Sequence, residues 1–173
     1  MRSSVWIFFA VLSVTGCASA PPTASPYAAE APREIKSLSA EEVQGYLAGK
    51  GMGLARPAEL NGYPGPAHVL EMAEQIGLTA EQKVRTQSLF DSMQSNAAAA
   101  GRDLVEEERA LDRLFATRAA TPANLSASLE KIAAVQAKVR AAHLEAHLAQ
   151  AAILTAAQME AYIRLRGYDG HHH

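Results

Sequence analysis

Apolar and small side chains recur at spacings of three and four residues through two long stretches in the second half of the chain. This period places them on one side of an α-helix and is typical of helices that pack against each other. In the first stretch, predicted as a helix over residues 79–119, the positions are Leu89, Met93, Ala97, Ala100, Leu104, Glu108, Leu111 and Phe115. In the second stretch they are Leu125, Leu129, Ile132, Gln136, Val139, His143, His147, Gln150 and Ile153.

A turn between the two stretches predicts that they fold back on each other as an antiparallel helical hairpin. Thr121 is a suitable N-cap and Pro122 a suitable first residue for the returning helix. The arms hold few bulky side chains for their length, so a hairpin alone buries too little surface. We therefore expect an all-α fold in which short flanking helices cover the open end of the hairpin and a second copy forms a dimeric cradle.

Local start and stop signals predict the flanking helices. A capping box at Ser39-Ala40-Glu41-Glu42 opens a helix that runs to about Ala48. One helical turn is expected between Pro57 and Gly62, and a further helix over 67–76 that ends at Gly77. The glycine-rich residues 49–53 lack the Walker spacing and its Lys-Ser/Thr, so a flexible turn is expected there rather than a phosphate cradle.

The pattern L-T-x-x-Q occurs twice, at the two ends of the predicted hairpin. Each Thr is expected to accept a hydrogen bond at its helix N-terminus while the Gln three residues later returns one to the Thr backbone. The residues are Leu78, Thr79 and Gln82 in the first copy, and Leu154, Thr155 and Gln158 in the second.

With two copies bracketing a hairpin, the chain resembles the L-T-x-x-Q family of bacterial periplasmic stress proteins over roughly residues 62–166. That family includes the Spy/CpxP-type ATP-independent chaperones and related periplasmic heavy-metal sensors and zinc-resistance proteins. The resemblance implies a Spy/CpxP-like fold, but members act as chaperones, regulators or metal binders.

The N-terminal residues are typical of export to the bacterial envelope. Arg2 and the apolar run that follows it predict a signal peptide over residues 1–16, because the run is too short to span a bilayer. Val14-Thr15-Gly16-Cys17 resembles a lipobox, which implies a lipidated Cys17 and a periplasmic, membrane-anchored protein. The alternative is an ordinary signal peptide with a cysteine near its cleavage site. An Ala/Pro/Ser-rich tether is expected over 17–38, a helical domain over 39–168 and a His-containing tail over 169–173.

Net charge and cysteine content further restrict the classes of protein to which the chain can belong. The formal net charge of the 173-residue chain is −2, and the loss of Arg2 with the signal peptide makes it −3. Such a balance argues against a nucleic-acid binder, which needs a basic face. Cys17 is the single cysteine, so no disulfide forms within the chain.

Two pairs of side chains have the spacing of metal ligands. His143 and His147 lie one helical turn apart, and neutral imidazoles so placed suit zinc, nickel, cobalt or copper. His68 and Met72 form a second such pair, which joins the first if its helix packs across the open end of the hairpin. Met93 is a further candidate because the hairpin places it roughly opposite His147. Packing histidines on the helix interface are the alternative interpretation.

The resemblance bears on these pairs as well. Nickel/cobalt sensors of the superfamily draw ligands from an early-helix H-x-x-x-H pair and a late-helix H-x-x-x-M pair. In this chain the two kinds of pair are exchanged: the early pair is His68-x-x-x-Met72 and the late pair is His143-x-x-x-His147. The run His171-His172-His173 is either a native metal-binding tail or the remnant of an affinity tag.

No nucleophile–base constellation is present in the sequence, so catalysis is not expected. Glu106, Glu107 and Glu108 point in three directions on a helix and do not form a site, although Glu108 is expected to pair with Lys131 across the hairpin.

The expected function is that of a periplasmic envelope-stress protein that binds unfolded or misfolded envelope proteins without ATP. Leu89, Phe90, Leu114 and Phe115 are the candidate client-binding residues. The alternative is a heavy-metal sensor or metal-buffering protein that signals to a membrane-bound regulatory partner.

Overall fold

The computed structural model of the chain describes residues 25–168 and divides into two units, Met1–Ala31 and Pro32–His173. The described part of the first unit contains one short 3-10 turn, Ala28–Glu30. The predicted signal peptide, Cys17 and the tail from residue 169 lie outside the described residues. Residues 32–168 form six α-helices: α1 (Ala40–Leu47), α2 (Arg56–Glu59), α3 (Pro66–Glu71), α4 (Ala80–Ala116), α5 (Pro122–Ile153) and α6 (Ala156–Arg166).

The two long helices, α4 and α5, pack against each other along their length. Leu104 and Ile132 share one buried apolar cluster near the turn, while Gln150 donates to Thr86 near the other end, so the helices run antiparallel. The described residues contain no β-strand and no helix long and apolar enough to cross a membrane. The prediction of an all-α fold with two long packed helices is therefore confirmed.

The tip of the hairpin follows its local sequence. Helix α4 ends at a C-cap on Thr117, and Arg118 then takes the left-handed conformation with φ of 57°. Thr121 accepts from the Asn124 backbone, and the Asn124 side chain accepts from the Thr121 N–H, which completes a capping box with Pro122 at the first helical position. The predicted turn is confirmed, although α4 ends at Ala116, three residues before the predicted end at residue 119.

Three positions assigned to the helix interface are instead exposed. Phe115 is 58% exposed, Leu129 is 50% exposed, and Gln136 also faces solvent. Phe115 and Leu129 lie towards the tip, where none of the other helices within residues 25–168 buries them. Val135 packs on the buried cluster in place of Gln136, because an apolar side chain gains from burial and an amide does not.

Helix α1 packs on α4 because position 101 has no side chain. A Cβ on Gly101 would lie 2.2 Å from the carbonyl oxygen of Tyr46, which leaves no room for any other residue. Tyr46 packs against the apolar cluster between α4 and α5. Gly101 therefore allows the close approach of backbones that adds a third helix to the middle of the hairpin.

The segment before α1 contacts the hairpin rather than acting as a tether. Ile35 is 3% exposed, the Lys36 N–H donates to Asp112, and the Ser37 hydroxyl donates to Glu108 at 2.7 Å. The tether predicted to extend to residue 38 is therefore too long, since one apolar side chain within it is buried. Glu108 is bonded to Ser37, and among the described residues it forms no ion pair with Lys131.

The open end of the hairpin is covered by α3, as predicted, and also by α6. Val69, Ile76, Leu78 and Tyr162 form a second buried cluster, against which Met72, Ala73 and Leu154 pack. Helix α3 is shorter than predicted. It ends at Glu71, and turns continue the chain to Gly77, whose φ of 66° reverses the direction.

The two L-T-x-x-Q copies meet at this end of the hairpin. Thr79 and Thr155 each form the predicted capping box, with Gln82 and Gln158 as the reciprocal partners. The two Gln amides also bond each other, at 2.8 Å and 2.9 Å. The remaining N–H of Gln82 donates to the Ile153 carbonyl and that of Gln158 to the Gly77 carbonyl. We call this pair of amides the glutamine clasp.

Loss of either side of the glutamine clasp should destabilise the domain. We expect Gln82→Ala and Gln158→Ala each to lower the free energy of unfolding by about 1–3 kcal/mol, because each leaves a partner amide and backbone carbonyls unpaired. The double variant should lose less than the sum of the two, by roughly 0.5 kcal/mol or more, because the side chains are in contact. Urea unfolding measures these values. Gln136→Ala, at an exposed position of α5, is the control and should stay within about 0.5 kcal/mol of wild type.

Candidate functional site

A cavity of about 640 Å³ lies where the glycine-rich loop 49–53, α2 and α3 meet the α4–α5 hairpin. Its volume is in the range of small-ligand sites. Three histidines contribute to its wall, His68 from α3 and His143 and His147 from α5, together with Met93 from α4. The predicted convergence of these elements is therefore present in the fold.

His143 and His147 lie on consecutive turns of α5 and are almost fully buried. His143 is 3% exposed, and its Nε2 is buried with no hydrogen-bond partner among the described residues. Its Nδ1 side faces the loop, since a Cβ on Gly51 would lie 3.8 Å from that atom. Burial lowers the pKa of His143, the neighbouring His147 lowers it further, and the Lys50 backbone opposes the change. The ring is therefore held in its neutral form.

His147 has a defined tautomer because one of its ring nitrogens faces a carbonyl. The carbonyl oxygen of Tyr63 lies 2.8 Å from Nδ1 and accepts, so Nδ1 carries a hydrogen. In the neutral ring, Nε2 then carries a lone pair. Gly65 packs flat against this edge, and a Cβ there would lie 3.0 Å from Nε2. A side chain at position 65 would therefore cover the free nitrogen.

Glu59 is a buried acidic residue that supports the cavity wall from α2. It is 8% exposed, and its Oε1 accepts from the Tyr162 hydroxyl at 2.6 Å and from the Tyr168 hydroxyl at 3.2 Å. Arg166 Nε lies 3.2 Å from the same oxygen as an ion pair, although it is not aligned as a hydrogen bond. Burial, followed by the hydrogen bond to Glu59, raises the pKa of Tyr162 far above its usual range.

The same carboxylate faces the histidines on its other side. Nδ1 of His68 lies 3.4 Å from Oε1, and Nδ1 of His147 lies 3.8 Å from Oε2. The Gly65 N–H donates to Oε2 at 3.3 Å. Glu59 thus accepts hydrogen bonds from Tyr162 of α6, from Tyr168 and from the Gly65 backbone, and the rings of His68 and His147 lie close to it.

The sequence analysis did not predict Glu59 as a site residue, although one feature of the sequence distinguishes it. It is the single acidic residue between Glu42 and Glu71, in a stretch rich in Gly, Pro and apolar residues. Arg56 is the nearest cation along the chain, three residues before Glu59, but the arginine that pairs with this carboxylate in the structure is Arg166, from a distant segment.

Met72 does not join the cavity. It follows the last residue of α3, and its side chain packs on the apolar cluster that contains Val69 and Tyr162. The prediction that His68 and Met72 act as a pair of ligands is therefore not supported by their positions. The apolar environment of Tyr162 explains the difference, because a thioether packs there without a polar cost.

The donors in the cavity fit a transition metal by type but not as a preassembled site. Neutral imidazoles with one nitrogen bound to the protein are the usual form of metal-ligating histidines. Within residues 25–168, however, no group of three or more His, Cys, Asp or Glu side chains is positioned to hold an ion. Any metal bound to the histidines would need other donors or a movement of these side chains.

Comparison with known proteins assigns no family to the chain. No protein-family model matches it, and neither a curated protein nor a solved structure matches it. The fold and the cavity are therefore interpreted from their own contacts.

The hydroxyl of Tyr162 should contribute measurably to stability. Tyr162→Phe removes a donor from a buried carboxylate, so we expect the free energy of unfolding to fall by about 1.5–3 kcal/mol. Tyr63→Phe is the matched control because that ring is 42% exposed, and it should change stability by less than about 0.5 kcal/mol. Equal values for the two variants in urea unfolding would contradict a role for the Glu59 contact.

The lowered pKa of His143 predicts a pH dependence of stability. An unfolded histidine titrates near pH 6.5, and the folded ring titrates lower, so the unfolded state binds the proton first as the pH falls. The contribution of neutral His143 to the free energy of unfolding is therefore complete above about pH 6.5 and is lost as the pH falls through the pKa of the folded state. Between pH 7.5 and pH 5.5, wild type should lose more unfolding free energy than His143→Gln. Equal losses would contradict the prediction.

Proposed function

We propose that this chain is an envelope stress protein of the L-T-x-x-Q type that binds a transition metal ion at its histidine-lined cavity. The observation that carries the proposal is the state of the ring nitrogens. Each of His68, His143 and His147 turns Nδ1 towards a protein group, whereas Nε2 of His143 has no partner among the described residues.

Bonding of one ring nitrogen to the protein determines what the other can do. The Tyr63 carbonyl accepts the Nδ1 hydrogen of His147, and Glu59 faces Nδ1 of His68. A carbonyl or carboxylate on one nitrogen orients the ring and leaves the other nitrogen as a basic donor, which is how proteins support metal-bound histidines. A packing histidine with no ligand has no need of an uncommitted, buried nitrogen, which carries a desolvation cost.

Metal binding at these rings would have a structural consequence. His143 and His147 belong to the rigid hairpin, whereas His68 belongs to the six-residue helix α3. An ion that drew the three rings together would bias the position of α3 on the hairpin and so alter the surface offered to a membrane-bound regulatory partner. We include in the proposal a periplasmic location and a lipid anchor at Cys17.

Metal titration tests this proposal. The reference protein carries Cys17→Ser and alanine at positions 171, 172 and 173, so that neither the thiol nor the tail binds the ion. We expect stoichiometric binding of at least one of zinc, nickel, cobalt or copper, with a Kd of about 1 μM or tighter, in isothermal titration. The His143→Ala/His147→Ala variant should not bind. Gln136→Ala is the control for substitution on α5, and equal binding by all three proteins would contradict the proposal.

Exposed apolar side chains support a second candidate, ATP-independent client binding by a dimeric cradle. Val84, Phe115, Leu129 and Leu148 are each at least half exposed on the hairpin. Of the predicted client-binding residues, Phe115 is among them, whereas Phe90 lines the cavity and Leu89 and Leu114 are half-buried. Apolar surface of this kind suits weak contacts with an unfolded chain or with a second copy.

The same two proteins distinguish the candidates. Client binding predicts that the reference protein and its His143→Ala/His147→Ala variant suppress client aggregation equally, because the exposed apolar residues are unchanged. Sedimentation equilibrium on these samples measures the mass, for which the cradle requires a dimer. A monomer that leaves aggregation unaffected would exclude this candidate and leave the metal proposal to its own test.

A further inference from the structure

Two methionine side chains line the histidine cavity. Met52 enters from the glycine-rich loop and Met93 from α4, and both share the cavity with His143. The remaining described methionines, Met72 and Met159, do not line it. The thioethers are the softest donors in this cavity. The described residues hold no cluster of three His, Cys, Asp or Glu ligands, but such a cluster does not include methionine sulfur.

The backbone at Met52 is unusual. Its φ is 41°, one of two positive values at residues other than glycine in the described chain, between the positive-φ glycines Gly49 and Gly53. A residue with a Cβ adopts this backbone conformation only at an energetic cost. The surrounding turn must therefore impose the conformation. The turn holds the Met52 sulfur against Gly45, where a Cβ would lie 2.3 Å from it. Met52 therefore lines the cavity from a loop whose backbone conformation is constrained, and the residue is 40% exposed.

The carboxylate in the cavity wall is already committed to other partners. Glu59 accepts from Tyr162, Tyr168 and the Gly65 N–H and is paired with Arg166. Hard divalent ions prefer carboxylate oxygen, so they would have to compete with these donors. The donors without a partner described above are Nε2 of His143, Nε2 of His147 and the two thioethers.

Charge also favours an ion of low valence. Lys50, Arg56 and Arg166 all contribute to the cavity lining, whereas Glu59 is the only carboxylate that residues 25–168 place there. Much of the remaining wall is apolar, for example Leu60 and Phe90. Desolvation of a divalent ion beside three cationic side chains is more costly than that of a monovalent one.

We propose that Met52, Met93 and His143 make the cavity a site for monovalent copper. The inference rests on the proposed function, because it takes metal binding at His143 as given, and it goes further by naming the ion and two sulfur ligands. Thioether donors favour monovalent copper over the harder divalent ions, and imidazole is a suitable further ligand for copper. The ion is bound in its reduced state and no redox step is involved.

Competition with a chromophoric copper(I) chelator under anaerobic, reducing conditions tests the proposal. The reference protein again carries Cys17→Ser and alanine at 171, 172 and 173. We expect Met52→Leu/Met93→Leu to weaken copper(I) binding by about 100-fold, roughly tenfold for each sulfur, while the shape of the wall is kept. Met72→Leu is the matched control because its side chain lies in the apolar cluster, and it should bind like the reference protein.

A second measurement does not depend on the variants. In protein labelled with carbon-13 at the methionine methyl groups, addition of copper(I) should shift the resonances of Met52 and Met93 and leave those of Met72 and Met159 in place. If those two resonances do not move, or if the double leucine variant keeps full affinity, the proposal is overturned.

The result also separates this inference from the function on which it rests. Zinc or nickel binding that requires His143 and His147, with copper(I) affinity independent of the two methionines, would overturn the copper site and leave the metal-binding function standing. If no ion binds in a histidine-dependent way, both proposals are overturned.

Discussion

Burial of the Glu59 carboxylate is the constraint on which the assembly of the cavity depends. A carboxylate that is 8% exposed loses most of its hydration, and that cost is offset only if charged or polar donors surround it. Here the donors come from helix α6, from Tyr168 two residues after it and from the Gly65 backbone. The wall of the cavity therefore forms cooperatively, because α2 cannot bury its carboxylate until α6 is in place.

The helical hairpin was predictable because its determinants are local. The capping boxes at Thr79, Thr121 and Thr155 act within three residues of each helix start, and the spacing of apolar residues gives the packed face. Burial at particular positions was less predictable. Phe115 and Leu129 fit the same spacing as the buried residues, but whether such a position is covered depends on where a third helix lies, and that is decided by distant contacts such as Gly101 with α1.

The same difference between local and distant determinants decides which parts of the candidate site could be predicted. The pairing of His143 with His147 follows from helical geometry alone, and the approach of His68 followed from the need to cover the hairpin. Glu59 could not be placed in this way, because its hydroxyl partners lie 103 and 109 residues further along the chain. Met72 shows the converse case, since a correct spacing from His68 did not bring it to the cavity once α3 ended at Glu71.

The position of α6 connects the repeated motif to the cavity. Gln158, Tyr162 and Arg166 are spaced four residues apart, so they lie along one face of α6. Gln158 is fixed by the glutamine clasp at the start of this face, whereas Tyr162 and Arg166 reach Glu59 further along it. The clasp joins the start of α4 to the start of α6 and thereby sets the direction in which α6 leaves the hairpin. A change at the clasp would therefore reach the cavity through one short, rigid helix, although no clasp residue lines the cavity itself.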